Sequence, residues 1–264
     1  MLPFLCCFLL AACASLPTSA PSATATLPTP SPSALLQPTP AAATPSPASE
    51  RKPSSPATSP TAAATPKSGG ATGPLPAEAH ITGLRGYDQT LPLSCEARSA
   101  ADWASFFGFT IHELDFQERL PRSDDPDYGF VGDVMGVWGN IPPRSYGVHA
   151  GPVAELLREY GLPATARRGM TFDELKAEIA AGRPVITWVV GHVNAGAPQI
   201  YTSRAGRQVT VSAREHTVIV VGYTPEVVFI QDGGWLYGRA IKHFEDSWGV
   251  LGNMAIIYRQ EQRD

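Results

Sequence analysis

Between Ala14 and Pro76 the chain is built almost wholly from Ala, Pro, Ser and Thr, and 15 of its 26 prolines fall in that stretch. No other feature limits the fold as strongly. The only charges there are Glu50, Arg51, Lys52 and Lys67, and the apolar surface on offer is too small to offset the conformational entropy lost on ordering. The expectation is a disordered tether. Proline at this density favours extended polyproline II, and at about 3.1 Å per residue the stretch could reach on the order of 190 Å when fully drawn out. The Ser/Thr/Pro mixture also suits O-glycosylation. Any hydrophobic core must therefore come from Ala77 to Asp264, a length suited to one domain.

Ahead of the tether, Met1 to Ala12 is apolar but too short to span a bilayer. Leu10-Ala11-Ala12-Cys13 follows the pattern of a processed export signal, with small residues before the cleavage point. A cysteine directly after them resembles the bacterial lipobox, in which that cysteine carries the lipid. No Lys or Arg precedes the apolar run, so only the α-amino group supplies positive charge. The expected division is a signal peptide over 1–13, a linker over 14–76 and a folded domain over 77–264. Cys13 is then the lipid attachment site, and the domain is extracytoplasmic and anchored to a bacterial membrane; plain secretion is the alternative. The domain carries 17 basic and 23 acidic residues once Arg51, Lys52, Lys67 and Glu50 are set aside from totals of 20 and 24. A net charge of −6 gives no electrostatic footprint for nucleic acid or anionic lipid.

Four cysteines are present: Cys6, Cys7 and Cys13 lie in the signal segment, and Cys95 alone lies in the domain. Outside the cytoplasm cysteines are usually paired, and Cys95 has no intramolecular partner in the domain. It is either a small buried hydrophobe or a nucleophile. A helix should begin at Cys95, with Ser94 as N-cap, Glu96 in the first turn and Gly108 at the C-terminus. Ala97, Ala100, Ala101, Ala104 and Phe107 give that helix an apolar face. Residues 121–151 are rich in Gly, Pro and Asp and read as loop. Gly151-Pro152 should open a helix running through Tyr160. Thr171 to Glu174 is a capping box for a helix ending at Gly182. Pro184 to Val190 reads as a buried strand and Gln208 to Ser212 as a weaker one.

His216 to Tyr223 and Val227 to Asp232 form two β-rich runs joined by Thr224-Pro225-Glu226. If Tyr223 and Pro225 flank the turn, His216 stands opposite Asp232, and Val218 and Val220 stand opposite Ile230 and Val228 on the same face. Directly opposed side chains have Cβ atoms about 4.5–5.5 Å apart, close enough for an imidazole–carboxylate hydrogen bond. A slip of one residue would separate the pair. A thiol at a helix N-terminus is favoured as thiolate. It needs a nearby base, and the base needs an acid to hold its tautomer. Cys95 with His216 and Asp232 meets those requirements, and Gln89, six residues before Cys95, offers a side-chain amide for an oxyanion beside the Cys95 N–H.

Gln89, Leu91-Pro92-Leu93-Ser94-Cys95-Glu96-Ala97, Glu215-His216-Thr217-Val218-Ile219-Val220-Val221-Gly222-Tyr223 and Ile230-Gln231-Asp232 together resemble the C39-like peptidase family. Gly129-Phe130-Val131-Gly132 and Tyr146-Gly147-Val148 are similar to segments of its stand-alone members. The resemblance covers nearly all of Ala77 to Tyr258. It implies a papain-like α+β fold, in which an N-terminal helix bearing the Cys packs on an antiparallel sheet bearing His and Asp. It also implies a cysteine peptidase with Cys95 as nucleophile, His216 as base and acid, Asp232 as orienter and Gln89 as oxyanion donor. Cys95-Glu96-Ala97 stands where Cys-Gly-Pro is commoner, and Asp232-Gly233 where Asp-Pro is. The expected partner is a peptide or protein substrate, with no cofactor, metal or nucleic acid, and the protein is expected to be a monomer. The alternatives are an amidase or acyltransferase using the same triad, or a non-catalytic peptide-binding module.

His192 is a competing base, set aside in favour of His216 because no acid stands at a comparable spacing. Asp246-Ser247-Trp248-Gly249 lies thirty residues after His216 and reads as structural, with Trp248 over the core. Asp124, Asp125, Asp127 and Asp133 lack the pattern of a calcium loop and read as a solvated acidic loop. His80, His112, His149 and His243 show no metal-ligand spacing. Trp103, Trp138, Trp188 and Trp235 are expected in the core or on a cleft wall.

Overall fold

A computed structural model describes residues 74–259. The expected signal peptide with Cys13, and nearly all of the expected tether, lie outside these residues. No helix among the described residues is long and apolar enough to cross a membrane.

The chain enters on a short strand β1 (Ala79–His80) and then forms helices α1 (Cys95–Phe106), α2 (Glu113–Arg119) and α3 (Ala150–Glu159). Strand β2 (Ala164–Arg167), helix α4 (Phe172–Ala180) and strand β3 (Val185–Val190) follow. The hairpin β4 (Gln199–Thr202) and β5 (Gln208–Val211) leads into β6 (Glu215–Tyr223), β7 (Val227–Asp232) and β8 (Trp235–Ala240), and helix α5 (Ile241–Gly249) and strand β9 (Ala255–Tyr258) complete the order. The main sheet is antiparallel, in the order β2-β9-β3-β6-β7-β8, with β1 pairing to the far end of β6.

Alternation along the central strands explains why both faces of the sheet are covered. Ile186, Trp188, Ile219 and Val221 join the alanine face of α1 (Ala97, Ala100, Ala101, Ala104) and Val153 and Leu157 of α3 in one core. Val185, Val189, Val218, Val220, Val228 and Ile230 join Leu175 and Ile179 of α4 and Phe244 and Trp248 of α5 in the other. Small side chains on α1 let its backbone lie close to β6, which brings the helix start to the sheet. Trp103, Trp188 and Trp248 are fully buried, and each indole N–H has a carbonyl partner, Pro184, Val148 and Met254 respectively. The apolar surface of the rings is thus buried with no orphaned donor. The arrangement is the expected α+β one: a helix that begins at Cys95, packed on an antiparallel sheet that carries His216 and Asp232.

Several local expectations hold. Thr171 and Glu174 cap each other reciprocally at α4, and Gly182 follows its end at φ +76°. Gly108 is at φ +85° after α1. Others change. Ser94 is the N-cap residue of α1, yet its hydroxyl donates to Glu113 Oε1 at 2.5 Å and does not cap the helix. Pro152 is the third residue of α3, not the first; it is still in the first turn, where a missing N–H is harmless. The acidic loop is not simply solvated. Asp124 accepts from the Arg204 N–H and the Tyr201 hydroxyl, Asp125 from Arg207, and Asp127 from His149 and Arg168. Arg207 of the β4–β5 hairpin and Arg168 just after β2, some eighty and forty residues away along the chain, draw Asp125 and Asp127 onto those segments.

Candidate active site

Cys95 is the first residue of α1 and is largely buried at one side of a cleft of about 310 Å³. Gln89, His192, His216, Asp232, Trp138 and Trp235 also line this cleft. His216 enters from the start of β6, and Asp232 is the last residue of β7. The His216 Nε2 and Asp232 Oδ1 atoms are 2.7 Å apart, with both side chains less than a tenth exposed. That bond occupies one ring nitrogen and leaves Nδ1 as the one available to a thiol.

The pairing that produces this contact differs from the expected one. Val220 lies opposite Ile230, not Val228, and Gly222 lies opposite Phe229, with the register shifting between Val220 and Gly222. By the register of Ile219 with Gln231, Asp232 falls opposite Val218. His216 is then its diagonal neighbour, a separation that long side chains bridge. A displacement of two residues leaves every side chain on its original face, so the polar pair and the valine core survive together. Ser247 of α5 fixes the neighbouring strand end, because its Oγ accepts from the Val190 N–H at 3.0 Å. The Asp246-Ser247-Trp248-Gly249 segment is structural, as expected, with Trp248 fully buried.

His192 stands in the turn after β3, and its Nδ1 lies 2.7 Å from Asp232 Oδ2. The reason for setting it aside therefore fails: it has an acid, the same one that holds His216, forty residues away in sequence. What separates the two histidines is exposure, since the His192 side chain is 61 % exposed and that of His216 only 9 %. The Tyr237 hydroxyl donates to the same Oδ2 at 2.8 Å. Burial alone would raise the Asp232 pKa. The hydrogen bond and charge of His216, with His192 and Tyr237 adding to them, outweigh burial and hold it at about 2 against an ordinary 3.8. Asp232-Gly233 is explained by the turn into β8, where Gly233 sits at φ +52°, a value closed to proline.

Gln89 reaches the cleft from the segment before α1. Its Nε2 donates to the Leu91 and Pro92 carbonyls at 2.8 and 3.0 Å, so both amide hydrogens are engaged within the turn. Trp138 covers the histidines, with its ring centroid 6.2 Å from His216 and 6.0 Å from His192, and its Nε1 donates to the Glu215 carbonyl. Trp235, 75 % exposed, forms another part of the wall.

The thiol itself departs from expectation. Burial first, then the charges of Glu96 and Glu215, push the Cys95 pKa well above the usual thiol value, against a small opposing effect of the Thr217 backbone. Cys95 Sγ donates to Glu96 Oε2 at 3.2 Å. Glu96, which the sequence places favourably in the first helical turn, is fully buried, and so is Glu215. The segments Gly129-Phe130-Val131-Gly132 and Tyr146-Gly147-Val148 meet here, since the Val131 N–H donates to the Gly147 carbonyl and the Tyr146 N–H to that of Val131.

The solved structure of a Bacillus anthracis protein assigned to the C39-like peptidases is similar to this chain, with a TM-score of 0.62 and 23 % identity over 70 % of this chain and 99 % of its own. The uncharacterized protein YvpB of Bacillus subtilis (strain 168) is 23 % identical over 181 residues, which are 63 % of this chain and 69 % of that protein. The model of the Peptidase_C39 like family matches residues 81–256, a span that includes Gln89, Cys95, His192, His216 and Asp232, and the chain belongs to that family.

Proposed function

We propose that this chain is a cysteine peptidase held outside the cytoplasm by a lipid on Cys13, and that it hydrolyses peptide bonds through Cys95, His216 and Asp232. The observation that carries this reading is the Asp232 carboxylate holding His216 by Nε2 beside a cleft onto which Cys95 opens. His216 Nδ1 takes the thiol proton as Sγ attacks the substrate carbonyl carbon. The carbon–nitrogen bond then breaks as His216 returns that proton to the leaving amine. Water, deprotonated by the same ring, hydrolyses the thioester and regenerates the thiol. Asp232 stays ionised throughout, which its low pKa favours. Gln89 donates to the oxyanion by exchanging the Pro92 carbonyl, the longer of its two bonds. An amidase or acyltransferase would run the same steps with a different amide or acceptor.

One observation favours a second reading. A thiol with a raised pKa that donates to a carboxylate suits a non-catalytic peptide-binding module that retains the fold and the aromatic cleft. Iodoacetamide separates the two. With alkylation mapped to the Cys95 peptide by mass spectrometry, the native protein should react, His216→Ala should slow it most, and Asp232→Asn should slow it less. Gln89→Ala should alkylate nearly as before yet lose about 10²–10³ in peptide turnover. Alkylation of Cys95 only after denaturation, with His216→Ala making no difference, overturns the peptidase reading.

A further inference from the structure

Two buried carboxyl groups border Cys95, and the triad uses neither. Glu96 accepts the thiol on Oε2 at 3.2 Å and the Val148 N–H on Oε1 at 2.6 Å. Glu215, the residue before His216, is 2 % exposed, and neither of its carboxyl oxygens has a hydrogen-bond partner. One ligand atom from each of Cys95, Glu96 and Glu215 lies within 4.8 Å of the other two. Gly147 makes room for this cluster. It sits at φ +145°, and a Cβ there would collide with both carboxyl groups.

The groups that face the pair do nothing to neutralise it. Cys95 feels the charge of both, and its cleft is lined further by Ser99, His216 and Thr217. From the segment before α3 comes Tyr146, a buried phenol engaged with His149 and the Ser212 N–H. Trp138 bonds only the Glu215 main chain. Among the described residues no Lys or Arg forms an ion pair with either carboxyl; Arg98, on the same helix, is paired with Asp102 and Glu113. Two uncompensated carboxylates this close and this dry cannot both ionise. A carboxyl that keeps its proton is a hydrogen-bond donor.

We propose that Glu96 is a further catalytic residue that works protonated: kept neutral by its dry surroundings, its hydroxyl donates to Cys95 Sγ once His216 has taken the thiol proton. This rests on the reading of Cys95 as nucleophile. In the resting site the thiol donates to Glu96. When that proton moves to His216 Nδ1, the same contact reverses, and Glu96 keeps its own proton throughout. Glu215 touches no reacting atom; burial and the charge of Glu96 hold its pKa well above the usual carboxylate range, so it stays neutral beside Glu96. Beyond burial, it is the charges of Glu96 and Glu215 that hold the thiol pKa up, and those opposing charges disappear when both groups are neutral. Ionised Glu96 would put an anion 3.2 Å from the thiolate. Burial raises the Glu96 pKa to about 7, more than its bonds from the Val148 and its own N–H lower it, so thiolate formation is opposed above that pH.

The test is the rate of Cys95 alkylation by iodoacetamide from pH 5.5 to 8.5, in the full chain and in the Glu96→Gln, Glu96→Ala and Glu215→Gln variants. Gln donates at every pH, so the ratio of the wild-type rate to the Glu96→Gln rate should fall about tenfold across the range, one pKa unit being a factor of ten in thiolate. Glu96→Ala should be slower than wild type at pH 5.5, and Glu215→Gln, neutral like the residue it replaces, should follow the wild-type profile. If Glu96→Ala does not fold, the near-isosteric Gln variants carry the test. Four parallel profiles with Cys95 still reactive in the native protein overturn the proposal. A Cys95 that resists alkylation in all four until denatured instead overturns the peptidase reading beneath it.

Discussion

Replacing Asp232 with Asn removes the one charge that organises the cleft, and its effect on stability follows from the site. Asp232 accepts from His216, His192 and Tyr237 at 2.7, 2.7 and 2.8 Å. Its folded pKa of about 2 lies below the ordinary 3.8. A group with a depressed folded pKa binds fewer protons folded than unfolded, so its contribution is complete above the unfolded value and is lost as pH falls through the folded one. A gap of nearly two units at 1.36 kcal/mol each gives about 2 kcal/mol at neutral pH, of which about half is gone by pH 3. Urea denaturation at pH 7 and pH 3 reads it directly. Asp232→Asn should lose about 2 kcal/mol at pH 7, and its stability should fall by about 1 kcal/mol less than that of wild type between the two pH values. Equal losses in both proteins would show that Asp232 is not held as a low-pKa carboxylate, and the orienting role would go with it.

Glu96 should act in the opposite direction: its folded pKa is raised, so the folded state holds more protons than the unfolded one between about pH 4.5 and about pH 7, and stability should decline as pH rises through that window. Glu96→Gln should flatten the decline in urea titrations at pH 5 and 8; an unchanged slope counts against a buried protonated Glu96. His192→Ala should slow Cys95 alkylation less than His216→Ala, because Asp232 keeps the buried His216 and Tyr237; the reverse order would exchange the two histidines' roles. Cys13→Ala should move the full-length protein, made in a bacterial host, out of the detergent phase, and equal partitioning of both forms would leave only secretion.

The hairpin shows how much of the site was legible and where legibility stopped. Alternation in β6 and β7 assigned Val218, Val220, Val228 and Ile230 to one core face, and the structure agrees. The same alternation could not count the irregularity between Val220 and Gly222, because a bulge adds a residue without changing the apolar pattern on either side. His216 and Asp232 meet regardless, since an even displacement conserves facing. Elements lacking such periodicity went unread. β4 is a mostly exposed Gln-Ile-Tyr-Thr, β8 a mostly exposed Trp-Leu-Tyr-Gly-Arg-Ala, and α2 has seven residues.

What the sequence missed most consequentially is non-local charge. Helix rules place Glu96 well, at the positive end of α1, and those rules assume a solvated first turn. Here the alanine face draws α1 onto β6, and the Tyr146-Gly147-Val148 segment closes over the helix start, so the favourable carboxylate becomes a desolvated one. The second carboxyl comes from Glu215, adjacent to the histidine and 119 positions away from Glu96 in number. No spacing rule connects the two, just as none connected His192 to Asp232. Backbone periodicity determines which residues are delivered to the cleft; protonation there depends on which carboxyl groups share the dry space beneath Cys95. Among the described residues that space holds two acids and no cation, an arrangement stable only while a proton remains among them.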